Sequence, residues 1–181
     1  MKLFVLTAIV TLFCGAVFAQ NKDQQALDVL FRIVEKNVVS AAEAMPADKY
    51  SYAPTQGEFK GVRMFAEQVK HAAATNYILA AAALGEDPPK DAGDEEGPDS
   101  LHTKAEIVNY LKGSFAELHK ALERMNEQPQ NVKSSPISPL QAGSATRVAL
   151  VVESLLHAYD HYGQMVEYLR MNGVIPPASR N

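Results

Sequence analysis

The stretch Thr146-Arg-Val-Ala-Leu150-Val-Val-Glu-Ser-Leu155-Leu-His157-Ala-Tyr-Asp-His161-Tyr-Gly-Gln164-Met-Val-Glu-Tyr168-Leu-Arg-Met-Asn172 decides how the rest of the chain is read. Within it Val148, Val151, Leu155, Tyr162, Val166 and Leu169 recur three and four residues apart, the spacing of one helix face. Gly173, followed by Pro176 and Pro177, marks the C-terminal stop of a helix running from about Ser144 to Asn172. On a wheel of about 100° per residue, His157, His161, Gln164 and Leu150 share an arc flanking that stripe, with Glu153, Asp160 and Glu167 on its other side. The sequence therefore predicts a long amphipathic helix with two histidines at the shoulder of its core face.

Three more segments keep the same period. Leu27, Leu30, Phe31, Val34, Val38, Ala41 and Met45 define a first helix, which Asn21 or Asp23 can cap and Pro46 ends. A second, from about Val62 to Leu84, puts Val62, Phe65, Val69, Ala72, Leu79, Ala80 and Ala83 on one face and stops at Gly85. Thr103 and Glu106 form the capping-box pattern that opens a third, whose stripe is Val108, Leu111, Phe115, Leu118, Leu122 and Met125. No segment sustains the alternation of a half-buried strand. The predicted class is all-α, and four helices with one apolar face each bury those faces most simply as a four-helix bundle. The connections 45–61, 85–102 and 128–143 exceed the 2 to 8 residues usual in bundles, so they are crossovers or functional flaps.

The chain has 181 residues, one Cys and no Trp. Residues 1–19 read as a secretory signal peptide: Met1 and Lys2 are a positive start, Leu3 to Phe13 is apolar apart from two threonines, and Val17-Phe18-Ala19 suits cleavage. The apolar run is shorter than the roughly 20 residues of a spanning helix. Residues 20–181 are then a single exported domain, periplasmic or extracellular, with no transmembrane segment after cleavage. Cleavage removes Cys14, so disulfides, thiolate metal sites and a cysteine nucleophile are excluded together. It also moves the formal charge from −4 to −5 with scattered basic residues, which argues against nucleic acid as a partner. The stretch Asp91 to Asp99 is acidic but lacks calcium-loop spacing, and reads as a solvated loop.

His157 and His161 leave one side of a helix a turn apart, a spacing at which two imidazoles can share a cation. His71 sits near the middle of the second helix and at the shoulder of its stripe, so it reaches a similar depth whether the two helices run parallel or antiparallel. His102 precedes a helix cap and His119 flanks the third stripe, which makes them a loop histidine and a surface or packing histidine. The three central histidines either converge on a metal or simply hydrogen-bond to neighbours; the pattern leaves both open. Three imidazoles would leave positions free on the ion for water. The run His157-Ala-Tyr-Asp-His161 lacks the Glu of H-E-x-x-H, which disfavours a metalloprotease. Glu67, one turn before His71, is either an exposed glutamate or a carboxylate supporting the site as an outer partner or general base. Gln164, one turn after His161, either holds a water on the ion or makes a plain polar contact.

Together, Glu67-Gln68-Val69-Lys70-His71, His157-Ala-Tyr-Asp-His161-Tyr-Gly-Gln164, Tyr168-Leu169-Arg170 and Asn172-Gly173-Val-Ile-Pro176-Pro177 resemble the DinB/YfiT-like superfamily. Asp48-Lys-Tyr50-Ser-Tyr52-Ala-Pro54-Thr55 matches the segment usual before its second helix. The resemblance implies an up-down-down-up bundle with one long crossing connection, for which 85–102 is the fitting segment. It also implies a divalent ion, commonly zinc or nickel, held by three histidines that carry over onto His71, His157 and His161. Some relatives are thiol-dependent transferases or isomerases, and many have no known activity. Export and the missing thiol point this chain away from small-thiol chemistry and towards water made acidic by a metal, with a pKa of about 7. The expectation is a metal-dependent enzyme of hydrolase or transferase type acting on a small molecule. The competing readings are a non-catalytic metal- or small-ligand-binding module and a bundle whose histidines only pack. The alanines 72–74 and 80–83 suit close packing against a partner, so a homodimer is a further expectation.

Overall fold

A computed structural model describes residues 22–130, 132, 135–141 and 143–180. The signal-peptide reading of residues 1–19 and the Asn21 cap lie outside these residues. Four long helices form the fold: α1 Lys22–Ala44, α2 Phe65–Leu84, α3 Lys104–Glu123 and α4 Arg147–Met171, with no strand among the described residues. Nor is any described helix long and apolar enough to cross a membrane.

Side-chain ties between helix ends fix the topology. Lys104 at the start of α3 donates to the carbonyls of Glu43 and Met45 at the end of α1, at 2.6 and 2.7 Å. At the opposite end Gln24 donates to the carbonyls of Leu122 and Glu123, both at 2.9 Å. Thus α1 and α3 are antiparallel. Tyr168 donates to the Arg63 carbonyl at 2.9 Å, and Arg147 donates to the Ala83 carbonyl, so α4 is antiparallel to α2. The Tyr50 hydroxyl donates to the Ala42 carbonyl at 2.6 Å while the Ala66 amide donates to the Tyr50 carbonyl, bringing the start of α2 back to the end of α1. The order is up-down-down-up, with α2 and α3 parallel neighbours.

Parallel neighbours require the chain to return the length of α2, about 30 Å at 1.5 Å per residue. The 19 residues between Leu84 and Lys104 cover that distance. This crossover runs over the outer face of α2, so α2 is buried all round rather than along the single stripe its sequence suggests. The alanines 72–74 and 80–83 are covered within the chain itself.

Local signals mark most boundaries as expected. Thr103 and Glu106 make the capping box, with Thr103 N–H donating to Glu106 Oε2 at 2.8 Å and Glu106 N–H to Thr103 Oγ1 at 3.2 Å. Gly85 at φ 78° and Gly173 at φ 73° terminate α2 and α4 in the left-handed conformation glycine tolerates. The second helix starts three residues later than its periodicity suggests. Its first-turn amides Phe65 and Ala66 are taken by the carbonyls of Tyr52 and Tyr50, and Glu67 reaches back to the Met64 amide at 2.7 Å.

The core is Phe31, Val38, Phe65, Val69, Leu79, Leu111, Phe115, Leu118, Leu150, Met165 and Leu169, all at or below 1% exposure. Two faces differ from their stripes. Leu30, expected inside, is 48% exposed beside Val29 and Ile33. On α4 the buried line is Leu150, Val151, Ser154, Ala158, His161, Met165, Tyr168 and Leu169, while Val148, Leu155, Tyr162 and Val166 are half-buried. The buried arc is rotated by roughly 80° towards the histidines, with small Ser154 and Ala158 on its line.

Candidate metal centre

His71 comes from the second turn of α2, and His157 and His161 from the middle of α4. The antiparallel pairing of these helices brings all three together, with ring centroids 4.3 Å (His157–His161), 4.6 Å (His71–His161) and 5.1 Å (His71–His157) apart. One nitrogen from each lies within 4.8 Å of the others. His157 Nε2 and His161 Nε2 are 3.0 Å apart. His71 and His161 are buried, and His157 is half-buried.

This environment keeps the rings neutral. Burial is the main cause, and it lowers the pKa of His157 to about 4 and that of His161 to about 3; the adjoining rings, His71 beside His157 and His157 beside His161, push further down. Burial, then the Arg63 guanidinium, lowers His71 as well. Neutral imidazole is the form that binds metal. His71 Nδ1–H donates to the Glu95 carbonyl at 2.9 Å, which leaves Nε2 as its free lone pair.

The donor set fits a divalent ion. Two nitrogens at about 2.1 Å from one ion are at most about 4.2 Å apart, and the three ligand nitrogens here lie within 4.8 Å of one another, with one pair at 3.0 Å. The Nε2 atoms of His157 and His161 face each other, and their buried Nδ1 atoms have no hydrogen-bond partner among the described residues, so hydrogen bonding satisfies only one nitrogen of each ring. Three nitrogens with no sulfur suit a divalent first-row transition metal and leave coordination positions open.

A polar cleft of about 410 Å³ is lined by Gly61, Val62, Arg63, Glu67, Gln68, Glu96 and Gln164. Gln68 and Gln164 place it one helical turn from His71 and His161. Both amides are engaged: Gln68 Nε2–H donates to Gln164 Oε1, and Gln164 Nε2–H to Asp160 Oδ2 at 2.8 Å. Glu67 lines the cleft and caps α2 with the same carboxylate. Glu96 pairs with Arg63 at 2.6 Å, which holds its carboxyl below the usual range.

The other two histidines are elsewhere. His119 bridges α3 to α1, its Nε2 at 2.9 Å from Glu35 and its Nδ1 at 3.6 Å from Asp28. His102 is on the loop before α3, where its amide donates to Glu106.

Sequence reading missed Arg63, Gln68, Glu95 and Glu96. The acidic stretch taken as a solvated loop lies directly on α2: Ala92 and Pro98 are buried, and carboxylates of Glu95 and Glu96 fall within 4.8 Å of a His71 nitrogen. The available signal was topological, since a crossover between parallel helices has to return along α2, whose second turn carries His71.

The family model of the DinB superfamily matches residues 30–165. The chain belongs to the DinB superfamily. A solved structure of a protein assigned to the DinB family, from Exiguobacterium sibiricum 255-15, is similar with a TM-score of 0.59 and 18% identity, covering 84% of this chain and 93% of that one. At that identity it supports the helical-bundle fold alone. No match was found among curated proteins.

Proposed function

We propose that the chain is an exported DinB-like metalloenzyme of hydrolase or transferase type, whose zinc or nickel ion is held by His71, His157 and His161. The observation that carries this reading is the convergence of three neutral imidazoles on one point beside an open polar cleft. A bound divalent ion supplies Lewis acidity, polarising a substrate oxygen and acidifying water. The chain's own residues do the rest. The neutral rings supply the donor nitrogens, Gln164 and Gln68 form a hydrogen-bonding wall, and the Arg63–Glu96 pair lines the cleft with polar groups that face a small polar substrate. Residues 1–19 support export, and the missing thiol in 20–181 favours water over small-thiol chemistry.

One observation favours a second reading, a non-catalytic binding module: both cleft carboxylates are already partnered, Glu67 by the Met64 amide and Glu96 by Arg63. If the chain forms a homodimer, the alanines of α2 are not its interface, being buried internally; Val29, Leu30 and Ile33 of α1 and Leu156 and Tyr159 of α4 are among the exposed apolar side chains of the described residues.

Metal analysis of untagged protein tests the site. About one equivalent is expected, with loss in His157→Ala and His161→Ala; under a tenth of an equivalent in the unaltered chain sinks the reading. Chelator-sensitive turnover on an ester, amide and thiol-adduct panel separates enzyme from binding module.

A further inference from the structure

We propose that Glu95 is a positioning residue of the metal centre, acting through its main-chain carbonyl: crossover residues 93–98 are a clasp that holds His71 with Nδ1–H engaged and Nε2 free. The inference rests on the metal-binding reading above and adds to it a part of the chain outside the three imidazoles.

Glu95 has φ 90°, the only non-glycine residue with positive φ among the described residues, and it lies between Gly93 at φ 61° and Gly97 at φ 74°. A side chain rarely adopts this backbone, so the surroundings must over-determine it. Four contacts do so, all to the α2 end of the site. The Glu95 carbonyl accepts from His71 Nδ1–H at 2.9 Å. Gly97 lies against Lys70, where an added Cβ would meet the Lys70 carbonyl oxygen at 3.2 Å and its Cβ at 3.3 Å. The Pro98 carbonyl accepts from Lys70 Nζ at 3.2 Å, and Glu96 pairs with Arg63.

The clasp decides which nitrogen of His71 is available. With Nδ1–H donating to a carbonyl, the ring cannot rotate or change tautomer without breaking that bond. Engagement of the Nε2 lone pair by a cation makes Nδ1–H a stronger donor, so metal loading and the seating of residues 93–98 reinforce each other.

The test is zinc affinity by chelator competition, with cobalt(II) absorption as the signature of the ligand set and circular dichroism as the check on folding. Glu95→Gly keeps the carbonyl and removes the backbone strain, so its affinity should stay within about threefold of the unaltered chain. Gly97→Val forces the crossover off Lys70 and should weaken zinc about ten- to hundredfold with altered cobalt spectra, the range for loss of an outer partner of a metal ligand. Unchanged affinity in a folded Gly97→Val overturns the clasp. So does a loss in Glu95→Gly or Glu95→Gln as large as that in His157→Ala, which would make the side chain the working group. Should Gly97→Val fail to fold, hydrogen exchange of the unaltered chain decides: zinc should slow the amides of residues 93–97 at least about fivefold, and no change overturns the proposal. If the unaltered chain binds no zinc, the metal-binding reading falls and takes the clasp with it, an outcome distinct from tight binding that ignores residue 97.

Discussion

Lowering pH from 7 to 5 should destabilise the metal-free protein. His157 and His161 have folded pKa values of about 4 and about 3, against an ordinary value of 6.5. The unfolded chain therefore binds more protons below 6.5, and stability that is complete above that pH is lost as pH falls. Between pH 7 and pH 5 each ring withdraws about 2 kcal/mol, so the pair withdraws about 4 kcal/mol, with His71 adding to it in the same direction. That is a large share of the 5 to 15 kcal/mol typical of a domain. At about 2 to 4 °C per kcal/mol for this size, Tm should fall by about 8 to 16 °C. Glu96 and Glu106, both held below the usual carboxylate range, stay ionised in this window. Calorimetry of chelator-treated protein at pH 7, 6 and 5 measures the effect, with a His157→Gln, His161→Gln double variant as the reference. A Tm that is flat over the window, or a slope that survives in the double variant, refutes the neutral buried triad.

Other outcomes follow from the same structure. Zinc at a hundred times its Kd should add about 2.7 kcal/mol of stability at pH 7, read as a rise in Tm that His161→Ala abolishes and chelator reverses. Leu111→Ala, at a fully buried core position, should cost about 2 to 5 kcal/mol in denaturant unfolding; under 1 kcal/mol would contradict the packing described. Thr103→Ala removes one half of the α3 capping box and should cost about 1 kcal/mol, with metal content unchanged.

The helices were legible because their signals are local. The capping box at Thr103 and Glu106, the glycine stops at 85 and 173 and the 3.6-residue period are properties of short windows, and each reappears in the fold. His71, His157 and His161 could be singled out because each sits at the shoulder of its helix's apolar stripe, and the antiparallel pairing of α2 with α4 brings the second turn of α2 to the middle of α4. The faces were less legible. Leu30 continues the α1 period yet is exposed, and the half-buried Val148 and Val166 continue the period of α4 while Ser154 and Ala158 occupy its interior. Hydrophobicity ranks residues one at a time, whereas burial depends on how closely a neighbouring helix approaches, which small residues control.

The sequence by itself determined four amphipathic helices in their order, most of their ends, and three histidines placed at the shoulders of core faces. Tertiary structure decided the rest. It set α2 parallel to α3, and that single choice sends residues 85–103 across α2 and places Glu95 on His71 and Glu96 on Arg63. No window of sequence contains this information, since the pairs are separated by 24 and 33 residues and meet only when the crossover returns along the helix it leaves.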